Sequence, residues 1–288
     1  MAGKKAAAAI ERARRLEALR VRGSRGGVIA PHRSMVGMPW TLWRLVTTLV
    51  LGAGGLAALL LGLPWLGRLW ALIFREARDR IFPGIPLGDQ AFTLPGGIEL
   101  TLPVLAVGTP LPDQSTLLIA GGVTGAAFLA SLLLPHRWIP LRYFLRLLAF
   151  LQATAIGFFA IAPEAFPYRL QDHAFLLLAA GLVVMGLVPL VLSLTLHVFD
   201  LAFWRKALVT LALLAHLSVF LPLQALVHMG LVLQGTALVM PVLFLLFGLL
   251  LDVLILVAFY GWALSWPGTL ERSESPPPVH LRPGRTSA

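Results

Sequence analysis

The sequence predicts an all-α integral membrane protein, a six-helix transmembrane bundle with a small β-hairpin-like extracytoplasmic insert. Two observations support this fold class. Hydrophobic residues make up 58% of the 288 residues and charged residues 12%, against about 25% charged residues in soluble domains. Six apolar stretches are each close to the roughly 20 residues that a helix needs to cross a bilayer. The chain also lacks cysteine, which excludes disulfides, thiolate catalysis and Cys-ligated metals.

The six predicted spans follow one another along the chain. They occupy residues 45–63, 117–134, 143–162, 174–198, 207–231 and 236–262. The first span is expected to end at Pro64. Only residues 232–235 separate the last two spans, so these two should form a tight antiparallel hairpin.

The predicted transmembrane domain, residues 45–262, contains one sizeable outer insert, residues 64–116. Within this insert, residues 92–102 alternate in part between apolar and polar side chains and contain a Gly-Gly pair, which is typical of a short β-hairpin. The basic run 68–80 has the wrong charge for an outer loop. It either continues the first helix or lies along the membrane interface.

The two ends of the chain are polar. Residues 1–44 are predicted to form a cytoplasmic basic amphipathic segment, which either lies on the inner leaflet or is a solvated arm. Its Lys and Arg side chains could bind anionic lipid headgroups. Residues 263–288, with three consecutive prolines, are expected to be a disordered cytoplasmic tail.

The distribution of positive charge predicts the orientation. The chain carries 23 Lys and Arg against 13 Asp and Glu. If the amino terminus is inside, the cytoplasmic segments hold 18 of the basic residues and the outer segments hold 5. This bias predicts a multi-pass protein of the inner (cytoplasmic) membrane with both termini in the cytoplasm. No motif for binding nucleic acid accompanies the positive charge.

Asp252 is the most informative single residue, because it lies near the middle of an apolar span. A charge at that depth costs about 2.5–3.5 kcal/mol on insertion scales, so Asp252 should face protein or water, or be protonated, rather than face lipid. His216 and Asp252 are both 18 residues from Gln234 at the predicted turn, which places them at equal depth in an antiparallel pair. We therefore expect a His216–Asp252 contact, acting either as a static polar pin or as part of a proton or ion path.

A second set of polar residues is predicted near the outer surface. It consists of Glu164, Asp172, His173 and His228. Two His and two carboxylates could hold a divalent metal, but they lack a local metal-binding spacing and could equally be solvated loop charges. His173 and His228 are roughly level, so axial ligation of a b-type haem is a minor alternative. No cofactor is assigned from the sequence.

Two further sets concern contacts with lipid or with other proteins. His197, Asp200, Arg205 and Lys206 form a polar cytoplasmic turn, which is either an interface for a partner or an interfacial anchor. Gly121 and Gly125, with Gly54 and Ala58 in the first span, have the four-residue spacing that allows close packing of membrane helices. They predict packing between the first two spans or association with another membrane subunit.

These residues leave three function classes open. The chain contains no nucleotide-binding, serine-hydrolase or HExxH zinc-protease motif, so catalysis is the least favoured class. The first expectation is a non-catalytic subunit or assembly factor of an envelope membrane complex. The alternative is a transporter or permease component with the Asp252–His216 pair on its path, and the third is a metal-dependent or lipid-modifying enzyme.

Overall fold

A computed structural model of the chain describes residues 41–94, 97–197, 199 and 201–266. The described residues include six helices that are long and apolar enough to cross a membrane, which matches the predicted number of spans. They are α1 Leu42–Arg80, α2 Gln114–Leu133, α3 His136–Ile161, α4 Leu170–Leu196, α5 Phe203–Gly235 and α6 Ala237–Leu264. Most of the predicted basic segment and of the predicted tail lie outside the described residues.

Helix α1 is twice the length of the predicted first span, because it continues through Pro64 to Arg80. The expected end at Pro64 was therefore wrong, and the basic run 68–80 is part of the helix. One proline removes one backbone hydrogen bond, but the helix beyond it is held by a buried apolar face. This face consists of Leu63, Leu66, Trp70, Phe74 and Ala77, spaced three or four residues apart. The fully buried Trp70 also donates a hydrogen bond from Nε1 to the Ser218 carbonyl, 2.8 Å away.

The small residues of α1 pack against α4. A Cβ on Gly52 would lie 2.7 Å from Ser193 Oγ, and a Cβ on Gly55 would lie 2.8 Å from Pro189 Cβ. Glycine therefore permits the close approach of the two helices. The predicted pairing of the first two spans through Gly121 and Gly125 is not formed, because a Cβ on either residue would meet nothing within 4 Å among the described residues.

The predicted β-hairpin is present. Strands β1 Leu87–Leu94 and β2 Ile98–Leu105 pair antiparallel, and the positive φ of 77° at Gly97 fits the turn between them. Strand β2 packs on α1 and α4, where Leu102 and Leu105 are fully buried. The hairpin thus covers one end of both helices, and the insert between α1 and α2 begins only after Arg80.

The loop that follows the hairpin joins the starts of three helices. Thr109 Oγ1 accepts a hydrogen bond from the Leu170 amide at the start of α4, and the Pro110 carbonyl accepts one from the Ala237 amide at the start of α6. Asp113 caps α2 by accepting from the Thr116 amide at 2.8 Å. The hydrogen bonds from Thr116 and Ser115 lower the pKa of the Asp113 carboxyl below its ordinary value.

Helices α2 and α3 form an antiparallel hairpin at the periphery. Arg142 donates hydrogen bonds to the carbonyls of Leu132 and Leu134, which satisfies the carboxyl end of α2. Only 6% of the most apolar stretch of α2 and 17% of that of α3 are buried, against 56% for α4. Helix α4 is therefore the central element, and the α2–α3 hairpin contacts the rest mainly where α3 meets the beginning of α6.

Helices α5 and α6 form the tight hairpin that the sequence predicts. Helix α5 continues to Gly235, so the expected connection 232–235 is helical and the turn is made at Thr236. Thr236 has a φ of 117°, a conformation that β-branched residues seldom adopt. Its hydroxyl accepts a hydrogen bond from the Leu238 amide, which supports the turn.

We expect Gly55→Ala to weaken the contact between α1 and α4, because the added methyl group would collide with the Pro189 ring. Overpacking of this kind costs about 1–3 kcal/mol, which thermal unfolding in detergent would detect as a lower midpoint. Gly62→Ala on the same helix is the matched control, since its new Cβ would meet nothing within 4 Å in the described structure. Equal midpoints for the two variants would contradict the close packing of Gly55.

Candidate functional site

The centre of α6 is not regular. A π-helical turn spans Leu245–Leu249, and within it Gly248 has a non-helical backbone conformation, with φ −102° and ψ −107°. Such a break interrupts the helical hydrogen bonds and leaves carbonyl groups to find other partners. We call this feature the Gly248 break. It lies between two helical pieces of α6, Met240–Phe244 and Leu250–Leu264.

Gln224 of α5 binds the carbonyls that the break releases. Its Nε2 donates to the Phe247 carbonyl at 2.6 Å and also lies 3.4 Å from the Gly248 carbonyl. Gln224 is buried, and its Oε1 has no hydrogen-bond partner among the described residues. Gln224 lies 11 residues before the end of α5, or about 16 Å at 1.5 Å per residue. This depth is near the middle of a hydrocarbon core about 30 Å thick.

Asp252 lies one helical turn after the break and is fully buried. Gln224 is the polar side chain that interacts with it. Nevertheless, neither carboxylate oxygen has a hydrogen-bond partner in the described part of the chain. Three buried oxygen atoms, two from Asp252 and one from Gln224, are thus unsatisfied at one place. An unsatisfied buried polar group is costly, and a buried unpaired charge is more so.

Two histidines lie on the other side of the break. His173 Nε2 and His228 Nδ1 are 3.4 Å apart, and both side chains are buried. His228 is one turn from Gln224 on α5 and also interacts with the Phe247 carbonyl. One of the two ring nitrogens donates and the other accepts, and the tautomers of the two imidazoles decide which.

These five residues make up what we call the buried polar cluster: His173 from α4, Gln224 and His228 from α5, and Gly248 and Asp252 from α6. The three helices meet here around the Phe247 carbonyl. The cluster combines a carboxyl, an amide, two imidazoles and an interrupted backbone inside an apolar bundle. Chemically, such groups can exchange protons or bind a small cation.

The predicted hydrogen bond between His216 and Asp252 is not formed, since the Asp252 oxygens have no such partner among the described residues. His216 is exposed and stacks on Phe220, with ring centroids 5.5 Å apart. It also lies 5.5 Å from the Phe259 ring. His216 thus lies beside a residue seven positions after Asp252, on the exposed side of α5.

The predicted outer set is divided by the structure. His173 and His228 come together, whereas Glu164 is exposed and Asp172 accepts a hydrogen bond from the Arg169 amide at the start of α4. Within the described ranges, no group of three or more His, Cys, Asp or Glu could hold a metal ion. A haem between the two imidazoles would need the space in which their nitrogens already contact each other.

The predicted cytoplasmic turn is described only in part, because Asp200 lies outside the described residues. His197 is nearly buried, and its Nδ1 lies 2.8 Å from Thr48 Oγ1, which links α4 to α1. The Arg205 guanidinium lies over the Trp204 ring at 5.4 Å. The Lys206 carbonyl accepts a hydrogen bond from Thr210. His197 is thus an internal contact between helices.

Gln224 and Gly248 were not among the predicted site residues. Gln224 is the one amide in the apolar run 221–227, and an isolated amide in a membrane helix commonly bonds to a neighbouring helix. Gly248 precedes Asp252 by four residues, so both residues lie on one face of a helix. A glycine one turn from a buried acid was a usable signal, but glycine is common in membrane helices.

Comparison with protein-family models, with curated protein sequences and with solved structures found no match to this chain. The buried polar cluster and the packing around it are therefore the features from which a function can be inferred.

We expect Gly248→Ala to destabilise the protein, because the added Cβ would lie 2.7 Å from Leu177 Cδ1 and 3.4 Å from the Leu243 carbonyl. A cost of about 1–3 kcal/mol is typical of such overpacking, and thermal unfolding in detergent would measure it. Gly261→Ala, on the same helix and with nothing within 4 Å of its Cβ among the described residues, is the control. If Gly248→Ala is as stable as the control, glycine is not required at the break.

Proposed function

We propose that this chain is a component of a membrane transport system and that the buried polar cluster lies on its ion or proton path. The observation that carries the proposal is the Gly248 break beside the buried carboxyl group of Asp252, which has no hydrogen-bond partner among the described residues. Helices interrupted near the bilayer midplane are a recurring way for transporters to present backbone carbonyls to coupling ions. Ionisable residues inside a membrane are functional candidates, because keeping a charge there is costly.

The contacts of Asp252 favour this role over that of a static pin. A pin stabilises a bundle through the hydrogen bonds that it makes between helices. Asp252 makes none within the described structure, although it is fully buried. Burying a carboxyl group costs free energy, and here no hydrogen bond compensates for that cost. Such a group is better explained by a ligand or proton that it binds.

We also propose in which membrane the chain lies and on which side its termini are. The excess of Lys and Arg in the segments predicted to be inside supports an inner-membrane protein with both termini in the cytoplasm. An even number of spans, six, is consistent with two termini on one side. Fusion of a reporter that is active on one side only to each terminus would test this orientation.

The purified protein in liposomes that contain a pH-sensitive dye would test transport. With a potassium diffusion potential across the membrane, we expect the wild type to move protons faster than empty vesicles do. Asp252→Asn should lower that rate about tenfold or more, because an amide neither binds nor releases a proton near neutral pH. The change in dye fluorescence after addition of an ionophore for potassium gives the rate.

His216→Asn is the matched control, since His216 is an exposed titratable residue outside the cluster. It should retain the wild-type rate. Wild-type protein that moves no more protons than empty vesicles, or equal rates for Asp252→Asn and wild type, would contradict the proposed path.

A second candidate function, a non-catalytic subunit of an envelope complex, is favoured by the α2–α3 hairpin. This hairpin is little buried, and Gly121 and Gly125 on α2 face open space in the described structure. A small-residue face of this kind can accommodate a helix of another subunit.

Purification in mild detergent would test this candidate. We expect a membrane partner to copurify with the wild type and to be lost in Gly125→Leu, because the larger side chain would fill the face. The thermal stability of Gly125→Leu should match that of the wild type, since nothing described lies within 4 Å of its Cβ. A wild-type protein that purifies alone would count against a partner at this face.

A further inference from the structure

We propose that the ligand of the buried polar cluster is a proton, bound on Asp252 and recognised by Gln224, which controls the Gly248 break according to whether the proton is present. The inference rests on the proposed function for its physiological role, as the coupling ion of transport. The binding of the proton and its effect on α6 stand on the geometry alone.

The unsatisfied oxygens of the cluster favour a bound proton. Asp252 Oδ1, Asp252 Oδ2 and Gln224 Oε1 all lack partners among the described residues. A carboxylate and an amide oxygen can only accept hydrogen bonds, so an ionised Asp252 leaves all three without a donor. A single proton on Asp252 changes this, because the resulting O–H can donate to Gln224 Oε1 and satisfy two groups at once.

The Gln224 amide is directed to the backbone of α6. Its NH2 group donates to the Phe247 carbonyl at 2.6 Å and to the Gly248 carbonyl at 3.4 Å, so both of its hydrogens are used on carbonyl groups. An ionised carboxylate interacting with Gln224 would attract this NH2 group, since charge-assisted hydrogen bonds are stronger than neutral ones. The observed orientation, with the amide hydrogens on the backbone carbonyl, is the one expected beside a neutral carboxyl group.

A monovalent metal cation fits the same oxygens less well. Hard cations are typically surrounded by six or more oxygen ligands. The cluster offers three free oxygens, and the nearby carbonyls of Phe247 and Gly248 already receive the Gln224 amide. A cation would require that amide to turn away, whereas a proton completes the arrangement that is present.

Release of the proton has a structural consequence. The proton passes from the Asp252 carboxyl oxygen to water, leaving a carboxylate, and no electron is transferred. The Gln224 amide then turns over to donate to the carboxylate and gives up the Phe247 carbonyl. The Phe247 carbonyl has no helical donor because of the break in α6, and it now loses the hydrogen bond from Gln224. The backbone at Gly248 is therefore less stable.

Few other titratable groups bear on this switch. On α4 and α5 the buried ones are His173 and His228, which contact each other, and His228 Cε1 would lie 3.9 Å from a Cβ on Gly248. His216 of α5 is exposed. His197, the remaining buried titratable group in the described ranges, contacts Thr48 of α1 instead.

Infrared difference spectroscopy of the full-length protein in lipid would detect the proton directly. We expect the carbonyl band of a hydrogen-bonded, protonated carboxyl group at neutral pH, absent in Asp252→Asn. In Gln224→Leu the band should move to the position of a free carboxyl group, because its hydrogen-bond acceptor is lost. Gln234→Leu, which removes an amide near the end of the same helix, should leave the band in place.

Two spectroscopic results would overturn the inference. One is a wild-type spectrum without such a band at any pH at which the protein is folded, which would mean that Asp252 stays ionised. The other is a band that disappears when sodium or potassium chloride replaces choline chloride at constant pH, which would assign the site to a metal cation. Both use the wild type, so they hold even if a variant fails to fold.

Hydrogen exchange of the α6 amides would test the effect on the break. After correction for the intrinsic pH dependence of exchange, amides 248–252 should exchange about fivefold faster once Asp252 is ionised, the factor corresponding to one hydrogen bond. In Asp252→Asn, exchange should stay slow at all pH values. Exchange that is independent of ionisation in the wild type would contradict the switch.

These measurements separate the inference from the proposed function. A protonated Asp252 with pH-dependent exchange, but no proton movement in liposomes, would leave the proton site standing and remove transport. Proton movement that is unaffected by Asp252→Asn, together with the expected infrared band, would place the transport path elsewhere in the chain.

Discussion

The hydrogen bond between the Gln224 amide and the Phe247 carbonyl is the interaction on which the interior of this protein depends. It joins α5 to α6 at the point where α6 is interrupted, and it satisfies a carbonyl that has no water to bind. The oxygen of the same side chain is left for the proposed proton on Asp252, so the backbone of one helix and one carboxyl group depend on a single residue. An apolar residue at position 224 would leave the carbonyl without its donor and a protonated Asp252 without an acceptor.

The surrounding structure is arranged to hold these three helices in place. Helix α4 is the most buried span, and it receives α1 through Gly52 and Gly55 and supplies His173 to the cluster. The loop after the β-hairpin binds the first residues of both α4 and α6. By contrast, the α2–α3 hairpin lies outside this arrangement and presents most of its surface to the surroundings. The polar centre thus lies among α4, α5 and α6, and α1 packs on α4.

The contrast between buried and exposed histidines follows from helix rotation. His228 and Gln224 are one turn apart on the same face of α5, and this face is turned toward the break in α6. His216 lies about two turns before Gln224, on the outside of the bundle beside Phe220 and Phe259. The side of a helix on which a residue lies depends on which face that helix buries against its neighbours, and counting along the chain does not give it.

The sequence by itself determined the class of the protein, because six apolar stretches of sufficient length can avoid water only in a membrane. It also determined the β-hairpin, the tight turn between the last two spans, and the need to bury Asp252. Tertiary structure alone decided that α1 continues past Pro64, since that depends on the apolar face from Leu63 to Ala77 finding partners on other elements. It also decided that Asp252 lies beside Gln224 rather than His216, because contacts between helices are set by packing across the bundle and not by distance along the chain.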